Sequence, residues 1–300
     1  MKNKKTVSVY IPAYNEENNI SFLLKSILRQ KGNSFTLKRI VVVDDGSTDR
    51  TREIVLNISR KFPIIKLLKD NKRIGKIDRL NQIYKINKSE ILILFDGDLI
   101  LKSSLVIENM IKKFNKGTSL VSANKIPLAS KTLIETLINC LYIFFYEIRK
   151  DINNGENIHN FSSCAYAIND VFAKKLNYPK NIYPITKFTY FAAIKNDLRF
   201  KFAKDAYVYF RSSNNMHDYS LQVNRFSDVE MLNEEYYGIW IRSFIHIPFS
   251  RKLFIASKML ITNPFIFSLA IILRLTLMLQ KNNHPSGRIW ELATSSKKLI

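Results

Sequence analysis

A hydrophobic run, Ile91 to Phe95 (ILILF), ends in two acids, Asp96 and Asp98, with only Gly97 between them. Two earlier runs also end in polar clusters. VSVYIPAY leads into Asn15 and Glu16, and RIVVV leads into Asp44, Asp45, Gly46 and Ser47. Each run is short, apolar and rich in β-branched residues, as buried strands are. In an open parallel sheet, ligands bind beyond the carboxyl ends of the strands. Three such ends on one side would gather Glu16, Asp44, Asp45, Asp96 and Asp98. Such a cluster repels itself unless a cation or hydrogen-bond donors occupy it. Oxygen ligands suit a hard divalent ion, Mg2+ or Mn2+, which usually also holds substrate phosphates. A lone D-x-D recurs by chance in solvated loops; the other two strand ends make chance a poor account here.

The elements that must position these acids alternate. TVSVYIPAY, RIVVVDD, IIKLL and EILILF read as strands. Between them lies a helix with Ile20, Leu23, Leu24, Ile27 and Leu28 at helical spacing. A second, STDRTREIVLNISRKF, is expected to use Ser47 or Thr48 as N-cap, with Asp49 in its first turn. KIDRLNQIYKIN is a third helix. This succession predicts an α/β fold with a mostly parallel sheet covered by helices on both faces. Further on, FSSCAYAIND and RFKFAKDAYVYF read as strands. IETLINCLYIFFYEIRK reads as an amphipathic helix with residues 134, 137, 138, 141, 145 and 148 inward. The expected division is a domain over 1–230, in halves 1–125 and 126–230, followed by a helical appendage over 231–300. In that appendage Leu253 to Leu279 carries only Lys258 and Arg274 as charges, and Asn263-Pro264 interrupts it. The apolar piece after the break is shorter than the ~20 residues a spanning helix needs. It is expected to lie in or on a membrane interface, the alternative being a helix that packs on the core.

The chain of 300 residues carries 47 Lys and Arg against 25 acids, a formal charge of +22. That excess suits phosphorylated substrates, an anionic membrane surface or nucleic acid; a bias that raises Lys, Ile and Asn together would also produce it. No interleaved aromatic-basic motif appears, so nucleic acid is not expected as a partner. Cys140 and Cys164 have neither metal-ligand nor disulfide-framework spacing. The apolar run near the start is too short for a signal peptide, so the expected location is the cytoplasmic side of a membrane, peripheral or monotopic. His159, His217, His246 and His284 are isolated, and each reads as a surface or packing residue.

VSVYIPAYNEENNI, IVVVDDGSTDRT, RIGKIDRLN and ILILFDGDLIL follow the order and spacing of family 2 glycosyltransferases, a resemblance that covers roughly residues 6 to 230. It implies a GT-A fold and inverting transfer of a sugar from a nucleoside-diphosphate sugar, UDP-sugar favoured, with Mn2+ or Mg2+. By that resemblance Pro12, Tyr14 and Glu16 lie near the nucleoside, and Asp44 or Asp45 contacts the base. Lys76 faces the diphosphate, Asp96 lies near ribose and metal, and Asp98 ligates the metal. QVNRF resembles the Q-x-x-R-W motif of the membrane-associated, polysaccharide-synthase-like branch, with Phe226 in place of Trp. It implies that Gln222 and Arg225 contact the diphosphate or acceptor and that Phe226 stacks on the acceptor sugar. FSSC occupies the small-residue acceptor stretch, which puts Ser163 and Cys164 beside the acceptor.

One element of the pattern is missing. Family members carry a Glu-Asp pair before the DAYVYF strand, and its Asp is the general base. Here Thr186 is followed by Lys187 and Phe188, and neither can take a proton usefully near neutral pH. The base could come from Asp197, Asp218 or His217. Alternatively, the acceptor is an already ionised polyprenyl phosphate, or the site binds a nucleotide sugar with little turnover. The expected acceptor is a glycan or a polyprenyl-linked molecule.

Overall fold

The computed structural model describes residues 4–179, 182, 185–224, 229–279 and 294–299. Among them, seven strands form one sheet: β1 (Lys5–Ala13), β2 (Phe35–Asp44), β3 (Ile65–Leu68), β4 (Ile91–Phe95), β5 (Thr118–Pro127), β6 (Ala165–Asn169) and β7 (Arg199–Phe210). Their order is β3-β2-β1-β4-β6-β5-β7. Neighbours are parallel except β6, which runs against both β4 and β5. Mixed sheets of this kind keep a ligand edge at the strand ends.

Side-chain alternation divides each strand between two cores. Val7, Val9 and Ile11 of β1 and Ile91, Ile93 and Phe95 of β4 join one core. It is closed by α1 (Ile20–Leu28), α2 (Thr51–Lys61) and, after β4, α4 (Val106–Ile111). Tyr10, Leu92 and Leu94 face the other core, under α3 (Lys76–Ile86), α6 (Asp170–Lys175) and α7 (Ile185–Lys195). Every strand residue named here is essentially inaccessible, and each large one contributes about 1.5–3 kcal/mol of burial. Register then levels the loops. Ala13 sits opposite Asp44, and Phe95 opposite Ala165. The β1–β4 pairing stops at Tyr10, before Pro12, which has no N–H to give.

Two local expectations are corrected. The second helix begins at Thr51, and neither Ser47 nor Thr48 caps it. Asp49 accepts the Thr51 N–H (3.0 Å) instead, because Ser47 and Thr48 are engaged by Asn15. In α5 (Leu133–Arg149) the inward row is Leu137, Leu141, Phe144 and Ile148. Phe145, expected inward, is 43% exposed, since it lies one position further around the helix.

Beyond the sheet come α8 (Met216–Asn224), α9 (Val229–Tyr237), α10 (Arg242–Ile245), α11 (Phe249–Thr262) and α12 (Pro264–Leu279). Packing continues across residue 230. Tyr237 and Trp240 meet Phe191 of α7 at ring separations of 5.8 and 5.6 Å. Helices α11 and α12 instead lean on α5 and form a third apolar cluster with it. Phe267 of α12 is the buried anchor, its ring 5.1 Å from that of Phe144. Among the described residues, no helix is long and apolar enough to cross a membrane. Truncating the anchor, Phe267→Ala, is expected to cost about 3–5 kcal/mol in urea unfolding; an unchanged midpoint would show that α12 is not docked there.

Candidate active site

The loop after β1 is built around Asn15, whose φ of 53° is left-handed, a conformation Asn tolerates better than most residues. The loop after β2 holds it in place. Asn15 N–H donates to Ser47 Oγ (3.0 Å), and Thr48 N–H donates to Asn15 Oδ1 (2.9 Å). Glu16 N–H donates to Thr51 Oγ1 (2.7 Å), and Glu17 N–H to Asp49 Oδ2 (3.0 Å). The DDGSTDRT run therefore braces the first loop, beyond any part it plays in contacting ligand.

Asp44 and Asp45 have internal partners. Fully buried Asp44 accepts the Gly46 N–H (3.2 Å) and Arg52 Nε (2.7 Å). Asp45 accepts the Ile74 and Gly75 N–H groups (2.9 and 3.0 Å) and Arg79 Nε (2.8 Å). It thereby fixes the backbone just ahead of Lys76. Gly75 has a φ of 93°, which suits glycine alone, and α3 starts at the next residue. Lys76 Nζ reaches both oxygens of Asp96 (2.5 and 2.7 Å).

The DGD turn lies directly against Glu16. A Cβ on Gly97 would stand 2.7 Å from Glu16 Cγ, so only glycine fits between the two acids. Crowding shows in the charge states. Burial, then the nearby Asp98 carboxylate, push Glu16 up to about 7, against the pull of Lys297. Burial and Asp96 likewise raise Asp98, while Lys125, Lys297 and Lys76 pull it down. Burial works against the Lys125 ammonium, yet Cys164, Tyr142 and the two aspartates hold its pKa above the ordinary lysine value. Three lysines thus face three acids. The arrangement suits a divalent ion on Asp96 and Asp98 that completes its shell with substrate oxygens. Among the described residues, no three His, Cys, Asp or Glu side chains form an all-protein metal cage.

Because β6 is antiparallel, its start, not its end, reaches this edge. Asp96 N–H donates to Cys164 O (2.8 Å), which brings Ser162, Ser163 and Cys164 beside the DGD turn. Burial pushes the Cys164 thiol up, as expected of a packed residue and not of a thiolate nucleophile. Ser163 Oγ accepts from Thr186 Oγ1 (2.8 Å) at the start of α7, so the stretch without an acid pair does meet the acceptor stretch. Pro12 pairs opposite Val43, and the Arg73 guanidinium caps the Tyr14 ring at 3.8 Å.

The three suggested bases sit in different settings. Asp197 lies in the turn before β7, at the opposite end of that strand from the acids. Asp218 is buried, and hydrogen bonds from Ser295 and Asn215 outweigh burial to hold its carboxyl below the usual range. His217 is mostly exposed, 3.6 Å from that carboxylate. Gln222 lies in α8; Arg225, Phe226 and His284 fall outside the described residues. Lys297, absent from the sequence reading, donates to Glu16 Oε1 (2.6 Å). Nothing in a lysine-rich sequence marks it out.

The family model for glycosyl transferase family 2 matches residues 8–175. A dolichyl-phosphate beta-glucosyltransferase of Trichomonas vaginalis, ALG5D, is 32% identical over 172 residues, 55% of this chain and 50% of the relative. The related ALG5A is 34% identical over 121 residues, 38% and 37% of the two chains. The chain thus matches half or less of these curated relatives' lengths. Among solved structures, a mannosyltransferase of Pyrobaculum calidifontis in complex with GDP-Man and Mn2+ superposes with a TM-score of 0.63 at 18% identity, over 95% of this chain and 78% of its own. That likeness supports the GT-A fold. With its parallel strand ends, DGD turn and matched family model, this chain belongs to the family 2 glycosyltransferases.

Proposed function

We propose that this chain transfers a sugar from a nucleoside-diphosphate sugar, UDP-sugar in the first instance, to a phosphate carried on a membrane lipid, with inversion. The observation that carries the acceptor choice is the start of α7. Thr186 and Lys187 stand there, with Ser163 2.8 Å from the Thr186 hydroxyl, and the ITKF stretch itself contains no acid. A hydroxyl acceptor needs a base at this point; an ionised phosphate needs none, and is attracted by a lysine. Lys187 already exerts an electrostatic pull on Glu234, after that residue's stronger bond with Arg242. The relatives named as dolichyl-phosphate glucosyltransferases support the same acceptor class.

The chemistry is then a single displacement. A phosphate oxygen of the acceptor attacks the anomeric carbon, the bond to the diphosphate breaks, and the electron pair leaves on the diphosphate oxygen. No proton has to be removed. Lys76, paired with Asp96, is positioned to turn its charge to the departing diphosphate. A divalent ion held by Asp96 and Asp98 would neutralise the same developing charge. Tyr14, Pro12 and the loop braced by Asp44 and Asp45 would receive the nucleoside.

The lipid would approach along α11 and α12. Their outer faces expose Phe254, Ile261 (82%), Phe265 (84%) and Leu275, with Lys252 and Lys258 exposed on the same helix pair. Arg274, the charge inside the apolar stretch, is partly buried and close enough to Tyr219 of α8 to act on its hydroxyl. The outer face of α12 is left apolar, the form of an interfacial helix beside anionic headgroups. We read residues 249–279 as the membrane-facing appendage, on the cytoplasmic face.

Two experiments test this reading. With labelled UDP-glucose and a short-chain polyprenyl phosphate, label is expected to enter the organic phase; transfer to glycan acceptors alone, or nucleotide binding with no transfer to either, contradicts the lipid-phosphate acceptor. In flotation with phosphatidylglycerol vesicles the protein is expected to float, and the doubly substituted Ile261→Ser, Phe265→Ser chain to stay behind. Equal flotation of both would remove the helix pair as the contact.

A further inference from the structure

Segment 294–299 lies across the site as a strap. Lys297 Nζ donates to Tyr14 O (2.6 Å), Asn15 O (3.3 Å) and Glu16 Oε1 (2.6 Å). Its three N–H donors thus meet the three consecutive residues of the left-handed loop after β1. The strap has a built seat. Asn19, fully buried, donates to Lys297 O (2.7 Å) and accepts the Leu299 N–H (3.1 Å). Arg211 Nη2 donates to Leu299 O (2.9 Å), and the Leu299 side chain is buried. At its other end, Ser295 N–H donates to buried Asp218 (2.7 Å), and Ser295 Oγ accepts the Asn214 N–H (3.2 Å). Removing the strap would strand Asn19, Arg211 and Asp218 without these partners, a cost that argues for a dedicated seat and against incidental contact.

The two ends of the seat belong to different halves of the site. Asn19 and Glu16 follow β1, on the nucleotide side. Asn214 and Asp218 open α8, the helix that carries Gln222. Lys297 also brings a positive charge to the acids around the DGD turn, at the point where Gly97 presses on Glu16.

We propose that Lys297 is a positioning residue for the donor: the 294–299 strap holds the Tyr14–Glu16 loop in the shape that receives the nucleotide, and ties it to the head of α8. This rests on the nucleotide-sugar reading above. The loop carbonyls of Tyr14 and Asn15 converge on one ammonium, and no uncharged side chain can replace three charge-assisted donors. Arginine can supply both the charge and several donors, so it should serve in part.

The test uses the full chain as wild type, Lys297→Met and Lys297→Arg. UDP affinity is titrated with Mn2+ present, donor KM and kcat are measured, and amide exchange of residues 15–19 is followed without nucleotide. The Met variant is expected to bind UDP about tenfold more weakly, equivalent to ~1.4 kcal/mol. Its loss should fall on donor KM more than on kcat, with faster exchange in the loop. The Arg variant is expected to recover most of the affinity. UDP affinity equal to wild type in a folded Met variant overturns the proposal, whatever the exchange shows. Equal weakness of the Met and Arg variants also overturns it, because a strap that only fills space would behave that way. Wild-type protein that binds neither UDP nor GDP would instead condemn the nucleotide-sugar reading itself.

Discussion

The interaction on which the rest depends is the repulsion among Glu16, Asp96 and Asp98 where their strand ends converge. Three half-buried or buried acids in one corner destabilise one another unless positive charge is supplied. The chain supplies it from three separate places. Lys76 opens α3, Lys125 lies near the end of β5, and Lys297 comes from the strap. Each is fixed by its own local device: Gly75 and Asp45 ahead of Lys76, the β5 backbone under Lys125, and Asn19 and Arg211 around the strap. In the proposed reaction, a diphosphate arriving with its own cation would exchange internal ion pairs for external ones, with little net change in buried charge.

The sheet makes that corner possible. Parallel β1, β2 and β4 bring three loops to one edge, and the single reversed strand, β6, brings its leading residues there too. Ser163 and Cys164 thereby reach the DGD turn from the end of the connection that carries α5. The start of α7 then meets Ser163 through Thr186. The DGD turn and the Ser163–Cys164 stretch share one edge because of strand direction.

Much of this was legible in the sequence. Apolar runs ending in acids located β1, β2 and β4 and their shared edge, since period-2 burial and strand-end chemistry are both local signals. The span of β7 also coincides with its apolar run, Arg199 to Phe210. Less visible was which acids are held by arginines and loop N–H groups. Asp44 and Asp45 look equivalent to Asp96 and Asp98 in composition; the distinction comes from Arg52, Arg79 and loop N–H groups supplied from elsewhere in the chain. The N-cap was misread because Ser47 and Thr48 serve a partner 32 or 33 residues away. Lys297 is further still, 281 residues from Glu16, and no spacing rule connects them. Arg274, one of two charges in the apolar stretch, lies close to Tyr219 of α8, a pairing no local spacing reveals.

In the proposed reaction the acids at the strand ends hold a divalent ion against a nucleoside diphosphate. Calorimetric titration of the purified chain with UDP, with and without Mn2+, tests it most directly, with Asp98→Ala as the matched control. Tight binding that requires Mn2+, and is lost in a folded Asp98→Ala chain, is the expected result. Binding of equal strength with and without the ion, or unchanged in the Asp98→Ala chain, would contradict it.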